Sequence, residues 1–278
     1  MNTIDHNSIE QAARAVESSA AILIGAGAGM GVDSGLPDFR GTEGFWRAYP
    51  PLQKLGLRFE QVADPRWFRD DPTLAWGFYG HRLNLYRATT PHAGFEILKR
   101  WAEPKRGAFV FTSNVDGHFQ RAGFGEASVC EVHGSLLFGQ CSRPCSEQVW
   151  EARELKIEMD EETFRAREPL PRCSHCSELA RPNVLMFGDG QWNSSRSDEQ
   201  QERMVEWLSG VEPSRLAIVE MGAGTAIPSV RRLSEGLQKR GATLIRINPR
   251  EAEGPPGTIS IPMGALQGLR AIDEARAE

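Results

Sequence analysis

The sequence predicts an α/β fold in which a parallel, Rossmann-like sheet is covered by helices on both faces. Short apolar runs rich in Ile, Val and Leu lie at residues 20–25, 108–112, 128–132, 216–221 and 243–247. Apolar runs that alternate with helical patterns are typical of buried parallel strands. Sheets of this kind bind ligands beyond the carboxyl ends of their strands, so we expect the functional residues there.

Three segments between the runs carry helix signals. Ser8 with Gln11, and Ser197 with Gln200, have the spacing of a capping box, which predicts a helix that begins at each serine. An apolar stripe that starts at Val230 stops before Gly241, which predicts the end of a third helix.

Two stretches interrupt the alternation and predict insertions into the α/β core. Residues 42–90 are rich in Trp, Phe, Tyr, Arg and Pro, whereas residues 140–180 are charged and contain four of the five cysteines. The expected division is a Rossmann-like domain formed by residues 1–41, 91–135 and 182–278, a helical insertion at residues 42–90 and a small module at residues 136–181.

Composition excludes several functional classes. The chain has 278 residues, a net charge of −5 and 40% hydrophobic residues, which suits one large domain or one large and one small domain. The acidic balance argues against a general nucleic-acid or membrane-surface binder. We find no run of about 18 apolar residues and no apolar leader, so we expect no membrane span and a cytoplasmic protein. The sequence does not indicate an oligomeric state.

A glycine-rich segment, Gly25-Ala-Gly-Ala-Gly-Met-Gly31, follows the first predicted strand. Backbone N–H groups in such a turn can approach a pyrophosphate at the start of the next helix. The strict G-x-G-x-x-G spacing is absent, and so is an acidic residue at the end of the second strand. Taken alone, this segment is also compatible with a tight turn that binds no ligand.

Polar side chains follow two further strands. Asn114 and Asp116 lie just beyond the run at 108–112, and His133 follows the run at 128–132. A histidine near its ordinary pKa can take a proton at neutral pH, so His133 is a candidate general base. The alternatives are an Asx turn that caps the next helix, for the first two residues, and a structural histidine.

The cysteines form two close pairs, Cys141 with Cys145 and Cys173 with Cys176. Paired thiolates at two turns suit tetrahedral Zn²⁺, and four protein ligands leave no open position, so we predict a structural zinc site and a zinc-binding module. The alternative is four unrelated thiols. Cys130 lies outside the pairs, on a predicted strand, and is expected to be a buried apolar residue.

The motifs together resemble those of the sirtuin family of NAD-dependent protein lysine deacylases. Gly27-Ala-Gly-Met-Gly-Val-Asp-Ser-Gly-Leu-Pro-Asp-Phe-Arg-Gly41 is similar to the family signature, with Gly31 where serine is usual. Similar motifs follow in family order at residues 112–117, 132–135, 181–189, 222–225 and 247–251. Ser113 replaces glutamine, Asp189 replaces glutamate, and Ala223 and Gly224 replace threonine and serine.

The resemblance implies residue roles. His133 would be the catalytic base, Asn114 would position ribose or water, and Asp116 would bind the nicotinamide carboxamide. The implied cofactor-binding residues are Gly27, Ala28, Gly29, Asp38, Phe39, Arg40, Ser113, Asn114, Asp116, Gly222, Ala223, Gly224, Asn248 and Glu251. The implied substrate residues are Tyr79, Arg82, Val184, Phe187 and Gly188. The implied metal ligands are Cys141, Cys145, Cys173 and Cys176.

The resemblance also implies the reaction and its partners. NAD would be a co-substrate, acyl-lysine proteins or peptides the partners, and ADP-ribose the acceptor of the acyl group as nicotinamide leaves. Tyr79 and Arg82, three residues apart, resemble the Tyr-x-x-Arg pair of sirtuins that remove succinyl or malonyl groups. An equally compatible interpretation is an arginine that faces solvent or pairs with a nearby aspartate.

Two alternatives of function stay open at this point because several motif positions are altered. One is an ADP-ribosyltransferase or NAD glycohydrolase on the sirtuin fold. The other is a non-catalytic sensor of NAD or ADP-ribose, against which the retained His133 argues, because a binder needs no base there.

Overall fold

The computed structural model describes residues 6–37, 41–160 and 162–277. The strands are β1 (Ala21–Ala26), β2 (Ala108–Thr112), β3 (Val129–Glu131), β4 (Gly134–Cys141), β5 (Trp150–Glu151), β6 (Met159–Asp160), β7 (Arg165–Ala166), β8 (Ala180–Val184), β9 (Leu216–Met221), β10 (Thr243–Ile247) and β11 (Ile259–Ile261). The α-helices are α1 (His6–Ser18), α2 (Gly41–Ala48), α3 (Pro50–Lys54), α4 (Phe59–Val62), α5 (Trp67–Asp70), α6 (Pro72–Ala88), α7 (Gly94–Ala102), α8 (His118–Arg121), α9 (Ser195–Ser209), α10 (Ser229–Gln238) and α11 (Ala265–Ala277).

The main sheet confirms the predicted α/β class. Six strands form one sheet in the order β11-β10-β9-β1-β2-β3, and every neighbouring pair is parallel. The chain runs outward from β1 to β3 and then returns to the other side of β1 with β9. A crevice therefore opens beyond the carboxyl ends of β1 and β9, where such sheets bind ligands. The five predicted strands all belong to this sheet, and only the short β11 was missed.

Alternate residues of β1 face opposite sides of the sheet, as a period of two requires. Ile22 and Ile24 belong to a core that includes residues of α1, α7 and α11. Leu23 belongs to a second core, which includes Met204 of α9 and Val230 of α10. Because both faces are covered by helices, all six residues of β1 are buried.

The insertion that was predicted to be helical contains α2 to α6. Its aromatic residues form a third core, which also includes residues of β4, β7 and β8. Gly77 allows α6 to lie against the loop before β7, since a Cβ atom there would be 2.2 Å from the carbonyl oxygen of Phe164. Trp76 Nε1 donates to the carbonyl oxygen of Ala180, at 2.9 Å, which fixes the helix to the second sheet.

The cysteine-rich stretch is built around an antiparallel sheet in the order β5-β4-β8, with β6 and β7 as a separate pair. β4 begins one residue after His133, and the Leu185 N–H donates to the His133 carbonyl oxygen at 3.0 Å. The second sheet is thereby fixed to the end of β3. No helix in the described part of the chain combines the length and the hydropathy needed to cross a membrane.

Both predicted capping boxes are wrong. α1 and α9 begin before Ser8 and Ser197, respectively. Ser197 and Gln200 are buried and bind the backbone of Glu131 instead. Ser197 Oγ donates to the Glu131 carbonyl oxygen at 2.9 Å, and the Glu131 N–H donates to Gln200 Oε1 at 3.0 Å. The edge strand β3 needs these partners because its outer backbone groups have no neighbouring strand. The third predicted helix is α10, which ends at Gln238, close to the predicted end.

Candidate active site

A cleft of about 580 Å³ lies at the predicted crevice. Its walls come from the residues that follow four strands of the main sheet, namely Gly27 after β1, Asn114 after β2, His133 after β3 and Gly222 after β9. The helical insertion also lines the cleft, and Arg82 is one of the residues that it contributes. The parallel sheet therefore brings together side chains that are far apart in the sequence.

Two glycine-containing loops pack directly on each other at the base of the cleft. The Gly29 N–H donates to the carbonyl oxygen of Gly222 at 3.1 Å. A Cβ atom on Gly27 would lie 2.6 Å from Ala223 Cα, and one on Gly222, whose φ is +60°, would lie 2.4 Å from the Gly29 backbone. These glycines are therefore required by the contact between the loops, and Gly27, Ala28, Gly222 and Gly224 line the cleft beside it.

The turn after β2 is fixed to the end of β1. Asn114 Nδ2 donates to the carbonyl oxygen of Gly27 at 3.0 Å, which leaves the amide oxygen available to a ligand. Asp116 Oδ1 accepts a hydrogen bond from the N–H of His118, at 2.9 Å, and so caps α8. The Asx-turn interpretation thus describes Asp116, although Asp116 and Ser113 also line the cleft.

His133 lines the cleft and is half-buried. Burial lowers the pKa of His133 below the ordinary value of a histidine, and a hydrogen bond to the Ser113 backbone opposes that shift. The Nε2 atom is 3.1 Å from Ser229 Oγ. A neutral imidazole at neutral pH can accept a proton, as the predicted role requires.

Ala223, Asn248 and Glu251 were predicted to bind the cofactor but do not line the cleft. Ala223 lies in the loop after β9, and the other two support that loop from the segment after β10. Asn248 is fully buried, and its Nδ2 donates to the carbonyl oxygen of Ala223 at 2.9 Å. Glu251 accepts a hydrogen bond from Thr225 Oγ1 at 2.8 Å. Arg231, which the sequence reasoning missed, donates from Nε to the same Ala223 carbonyl at 3.0 Å.

One wall of the cleft is formed by the end of β8 and the segment after it, and it contains Val184, Leu185 and Phe187. Phe187 is 38% exposed, and its N–H donates to the carbonyl oxygen of Ala63 at 2.8 Å. Gly188 lies outside this cleft and lines a neighbouring cavity. Phe187 lies in the turn that follows β8, and its exposed aromatic side chain can contact a second chain.

A buried ion pair that sequence reasoning missed supports this wall. The side chains of Arg181 and Asp189 are 1% and 0% exposed, and the guanidinium donates twice to the carboxylate. Asp189 also accepts from the N–H groups of Met186, at 3.3 Å, and Gln191, at 3.2 Å. Arg181 Nη2 donates to the carbonyl oxygen of Val184 at 2.9 Å, so that the pair fixes both ends of the segment.

The predicted pair of Tyr79 and Arg82 is divided between the core and the cleft. Arg82 lines the cleft, whereas the Tyr79 hydroxyl is buried with no hydrogen-bond partner among the described residues. Tyr79 stacks on Phe68, with ring centroids 5.8 Å apart. Arg82 donates instead to the hydroxyl of Tyr86, from Nε at 3.0 Å and from Nη2 at 2.7 Å. Tyr86 also lines the cleft and was missed, although its spacing of four residues from Arg82 on a helix was a usable signal.

The four paired cysteines form one cluster. Their sulfur atoms all lie within 4.8 Å of one another, and the Cys141–Cys176 and Cys145–Cys173 sulfur distances are both 3.6 Å. A tetrahedron with metal–sulfur bonds of about 2.3 Å has edges of about 3.8 Å, so the cluster fits a zinc ion. Cys130 is buried and lies apart from this cluster, as predicted.

Comparison with known proteins decides the family. The model described as the Sir2 family matches residues 27–208. The chain belongs to the Sir2 family. A protein of Aquifex aeolicus named NAD-dependent protein deacylase is 31% identical over 232 residues, which cover 81% of this chain and 82% of that protein. A protein of Aeropyrum pernix with the same name is 28% identical over 239 residues, which cover 86% and 85% of the two chains.

Solved structures show the same Sir2 fold. The complex of a Sir2 homologue with NAD matches this chain with a TM-score of 0.75 at 24% identity and covers 96% of this chain and 94% of the other. A Sir2 protein solved with a deacetylated p53 peptide and an acetyl ADP-ribose matches with a TM-score of 0.67 at 21% identity and covers 96% and 97% of the two chains. At these identities the similarity concerns the fold alone.

The structure describes only part of the segment that is similar to the Sir2 signature. Asp38, Phe39 and Arg40 were predicted to surround NAD, and they lie outside the described residues. Of the described residues with predicted cofactor, catalytic or substrate roles, the cleft is lined by Gly27, Ala28, Arg82, Ser113, Asn114, Asp116, His133, Val184, Phe187, Gly222 and Gly224. Those that do not line it are Gly29, Tyr79, Gly188, Ala223, Asn248 and Glu251.

Proposed function

We propose that this Sir2-family protein is an NAD-dependent protein lysine deacylase, which transfers an acyl group from lysine to ADP-ribose and releases nicotinamide. The observation that carries the proposal is the position of His133, a base with a lowered pKa, in the same cleft as the two glycine-containing loops. The shared name of the relatives from Aquifex aeolicus and Aeropyrum pernix supports the activity. The NAD complex of the Sir2 homologue supports the co-substrate.

Each wall of the cleft has a part in the proposed mechanism. The loops around Gly27 and Gly222 line the cleft beside each other and would hold the pyrophosphate of NAD. The Asn114 amide, held by the Gly27 carbonyl, orients a ribose hydroxyl or a water molecule. His133 takes a proton from a ribose hydroxyl, and Asp116 receives the nicotinamide carboxamide.

We further propose that the acyl-lysine peptide lies along the segment that contains Val184 and Phe187. Leu185 and Phe187 are exposed, and because their N–H groups already donate to His133 and Ala63, an extended peptide would pair with carbonyl oxygens of the segment. The cysteine cluster is proposed to hold one structural Zn²⁺. Four thiolate ligands leave no open position on the metal, so zinc would stabilise the module and would not activate water.

The test of this mechanism is the variant His133→Ala. Protein, NAD and an acetyl-lysine peptide are incubated and the products are identified by mass. We expect the wild-type protein to yield deacylated peptide, nicotinamide and O-acetyl-ADP-ribose. Loss of the general base should lower the rate by at least about a hundredfold while NAD still binds. His6→Ala, at an exposed position on α1 that does not line the cleft, serves as the matched control.

The same products distinguish the alternatives. ADP-ribosylated protein would indicate a transferase, free ADP-ribose without deacylated peptide a glycohydrolase, and unchanged NAD a sensor. A His133→Ala rate within about threefold of the wild-type rate would show that another group is the base.

Arg82 supports a finer proposal, a preference for acyl groups that end in a carboxylate. Arg82 is 7% exposed and lines the cleft, and its guanidinium is held by the Tyr86 hydroxyl. A charge-assisted bond to a succinyl or malonyl carboxylate would exploit this fixed cation. The hydroxyl that would assist is that of Tyr86, because the Tyr79 hydroxyl is enclosed in the aromatic core.

The acyl preference is tested by comparing kcat/KM for succinyl- and acetyl-lysine versions of one peptide. Arg82→Met should lower the succinyl-to-acetyl ratio about ten- to a hundredfold, which corresponds to the loss of a bond to a charged group. Tyr86→Phe should also lower the ratio, whereas Tyr79→Phe should leave it unchanged. A wild-type preference for acetyl-lysine, or an unchanged ratio in Arg82→Met, contradicts the proposal.

A further inference from the structure

The mouth of the cleft is apolar apart from one charge. Its rim, formed by the lining residues that are exposed, consists of Ala28, Glu60, Leu185, Phe187, Ala226 and Ile227. Glu60 is the single charged side chain of this rim in the part of the chain that the structure describes. The other ionisable residues of the cleft are buried or half-buried, namely Arg82, Tyr86, Asp116 and His133.

The short helix α4 holds Glu60 at the rim. The ring of the preceding residue, Phe59, packs on the aromatic core, with its centroid 5.8 Å from that of Phe45. On the other side of Glu60, Trp67 Nε1 donates to the carbonyl oxygen of Gln61 at 2.6 Å. These contacts fix the backbone before and after Glu60.

The same helix is attached to the wall that is proposed to bind the peptide. The rings of Phe59 and Phe187 meet edge to face, with centroids 5.8 Å apart and an interplanar angle of 90°. The Phe187 N–H also donates to the carbonyl oxygen of Ala63, directly after α4, at 2.8 Å. Glu60 and the exposed Phe187 therefore belong to one fixed part of the rim.

Glu60 has no ionic partner among the described residues. No salt bridge or side-chain hydrogen bond in that part of the chain involves its carboxylate. Arg58 and Arg66, the basic residues nearest to it on either side in the sequence, do not line the cleft, and Arg66 pairs with Asp64 at 3.6 Å. The carboxylate is thus available to a cation that arrives with a ligand.

An apolar rim with one carboxylate suits a side chain that has a long apolar stem and a cationic end. Arginine and lysine lay their methylene groups on apolar surface while the charged end reaches a polar partner. A guanidinium can also lie over an aromatic ring such as that of Phe187 while it binds a carboxylate. An acidic side chain at the same place would be repelled by Glu60.

We propose that Glu60 is a specificity residue that selects peptides with a basic residue next to the acyl-lysine. The proposal rests on the proposed function, because it takes the wall at Leu185 and Phe187 as the peptide site. Successive residues of an extended peptide are about 3.4 Å apart, so a residue next to the lysine stays at the rim while the acyl group enters the cleft. Glu60 therefore selects among peptide sequences, whereas Arg82 is proposed to select among acyl groups.

The experiment compares two acetyl-lysine peptides that differ only in the residues on both sides of the acetyl-lysine. These residues are arginine in one peptide and norleucine, which keeps the apolar stem and lacks the charge, in the other. For the wild-type protein, kcat/KM should be about two- to fivefold higher for the arginine peptide, which is the size expected of an exposed ion pair. The ratio should fall towards one as the ionic strength is raised, because salt screens exposed charges. Glu60→Gln should remove the preference, and Glu60→Lys should reverse it.

The matched control is Glu96→Gln. Glu96 is an exposed carboxylate in the first turn of α7, as Glu60 is in the first turn of α4, but it does not line the cleft. This variant removes the same charge from the chain and should keep the wild-type ratio. An unchanged ratio in Glu60→Gln, or an equal loss in Glu96→Gln, would overturn the proposal.

Peptide binding separates this inference from the proposed function. Dissociation constants of the two peptides, each with a fluorescent label, are measured by anisotropy without NAD, so that no turnover occurs. The arginine peptide should bind more tightly to the wild-type protein, and the difference should vanish in Glu60→Gln. If the protein binds peptides with this preference but does not deacylate them, the proposed function fails and the role of Glu60 stands. Deacylation without any preference for the arginine peptide would overturn the role of Glu60 and leave the proposed function intact.

Discussion

Asp189→Asn removes one charge from the buried pair beneath the proposed peptide wall. The carboxylate is 0% exposed and accepts hydrogen bonds from Arg181, Met186 and Gln191. An asparagine keeps one oxygen but directs an NH₂ group at some of these donors, and it leaves the Arg181 cation buried without its counter-charge. Breaking a buried pair in this way costs about 3–5 kcal/mol, which is the expected loss in the free energy of unfolding.

The loss should be measured by urea-induced unfolding of the purified protein, with Asp70→Asn as the matched control. Asp70 pairs with Arg69 on the surface, where both side chains are exposed, and its substitution should leave stability almost unchanged. The double variant Arg181→Met with Asp189→Leu should recover much of the loss, because apolar residues of similar volume need no counter-charge.

The same variant has a functional consequence. Asp189 holds the N–H of Met186 and does not contact the glycine-containing loops, so Asp189→Asn should raise the KM for the acyl-peptide more than the KM for NAD. A loss of stability below about 1 kcal/mol would refute the argument that the pair is structurally required. Equal increases in both KM values would refute its local role.

Three further predictions follow from the geometry. Gly222→Ala should abolish NAD binding measured by calorimetry, because the new Cβ would lie 2.4 Å from the opposing loop. The control Gly236→Ala, in open space on α10, should bind NAD normally and gain about 0.5–1 kcal/mol in the free energy of unfolding. Elemental analysis should find one zinc per chain, and chelation should lower the Tm, while metal-free folded protein would contradict the cysteine assignment. Burial lowers the pKa values of His81, His92 and His133, so the unfolded chain binds more protons than the folded chain below about pH 6.5. The free energy of unfolding should therefore decrease as the pH is lowered through this range, by at most about 1.4 kcal/mol per pH unit for each histidine. A flat stability profile between about pH 7 and about pH 5 would contradict this.

The main sheet, and the edge of it at which the site lies, could be predicted from local patterns in the amino-acid sequence. The apolar runs of β1, β2, β9 and β10 are local signals, because a strand buried on both faces has no polar face to obscure its pattern. Parallel strands end at the same edge, so His133 and Asn114 could be assigned to one crevice before their distance was known. The cysteine spacing likewise predicted a cluster whose sulfur atoms lie within 4.8 Å of one another.

Which side chains face the cleft and which support it depends on how distant elements pack, and the sequence did not predict it. Asn248 carries a family motif, yet it is buried and holds the carbonyl of Ala223. The two serines of the predicted capping boxes have ordinary local patterns, and one of them binds the backbone of β3 because that edge strand needs partners. The contact between His133 and Ser229 spans 96 positions and leaves no periodicity or spacing to read. Such contacts depend on how separate elements pack, so a local pattern can locate a site but cannot specify the side chains that surround it.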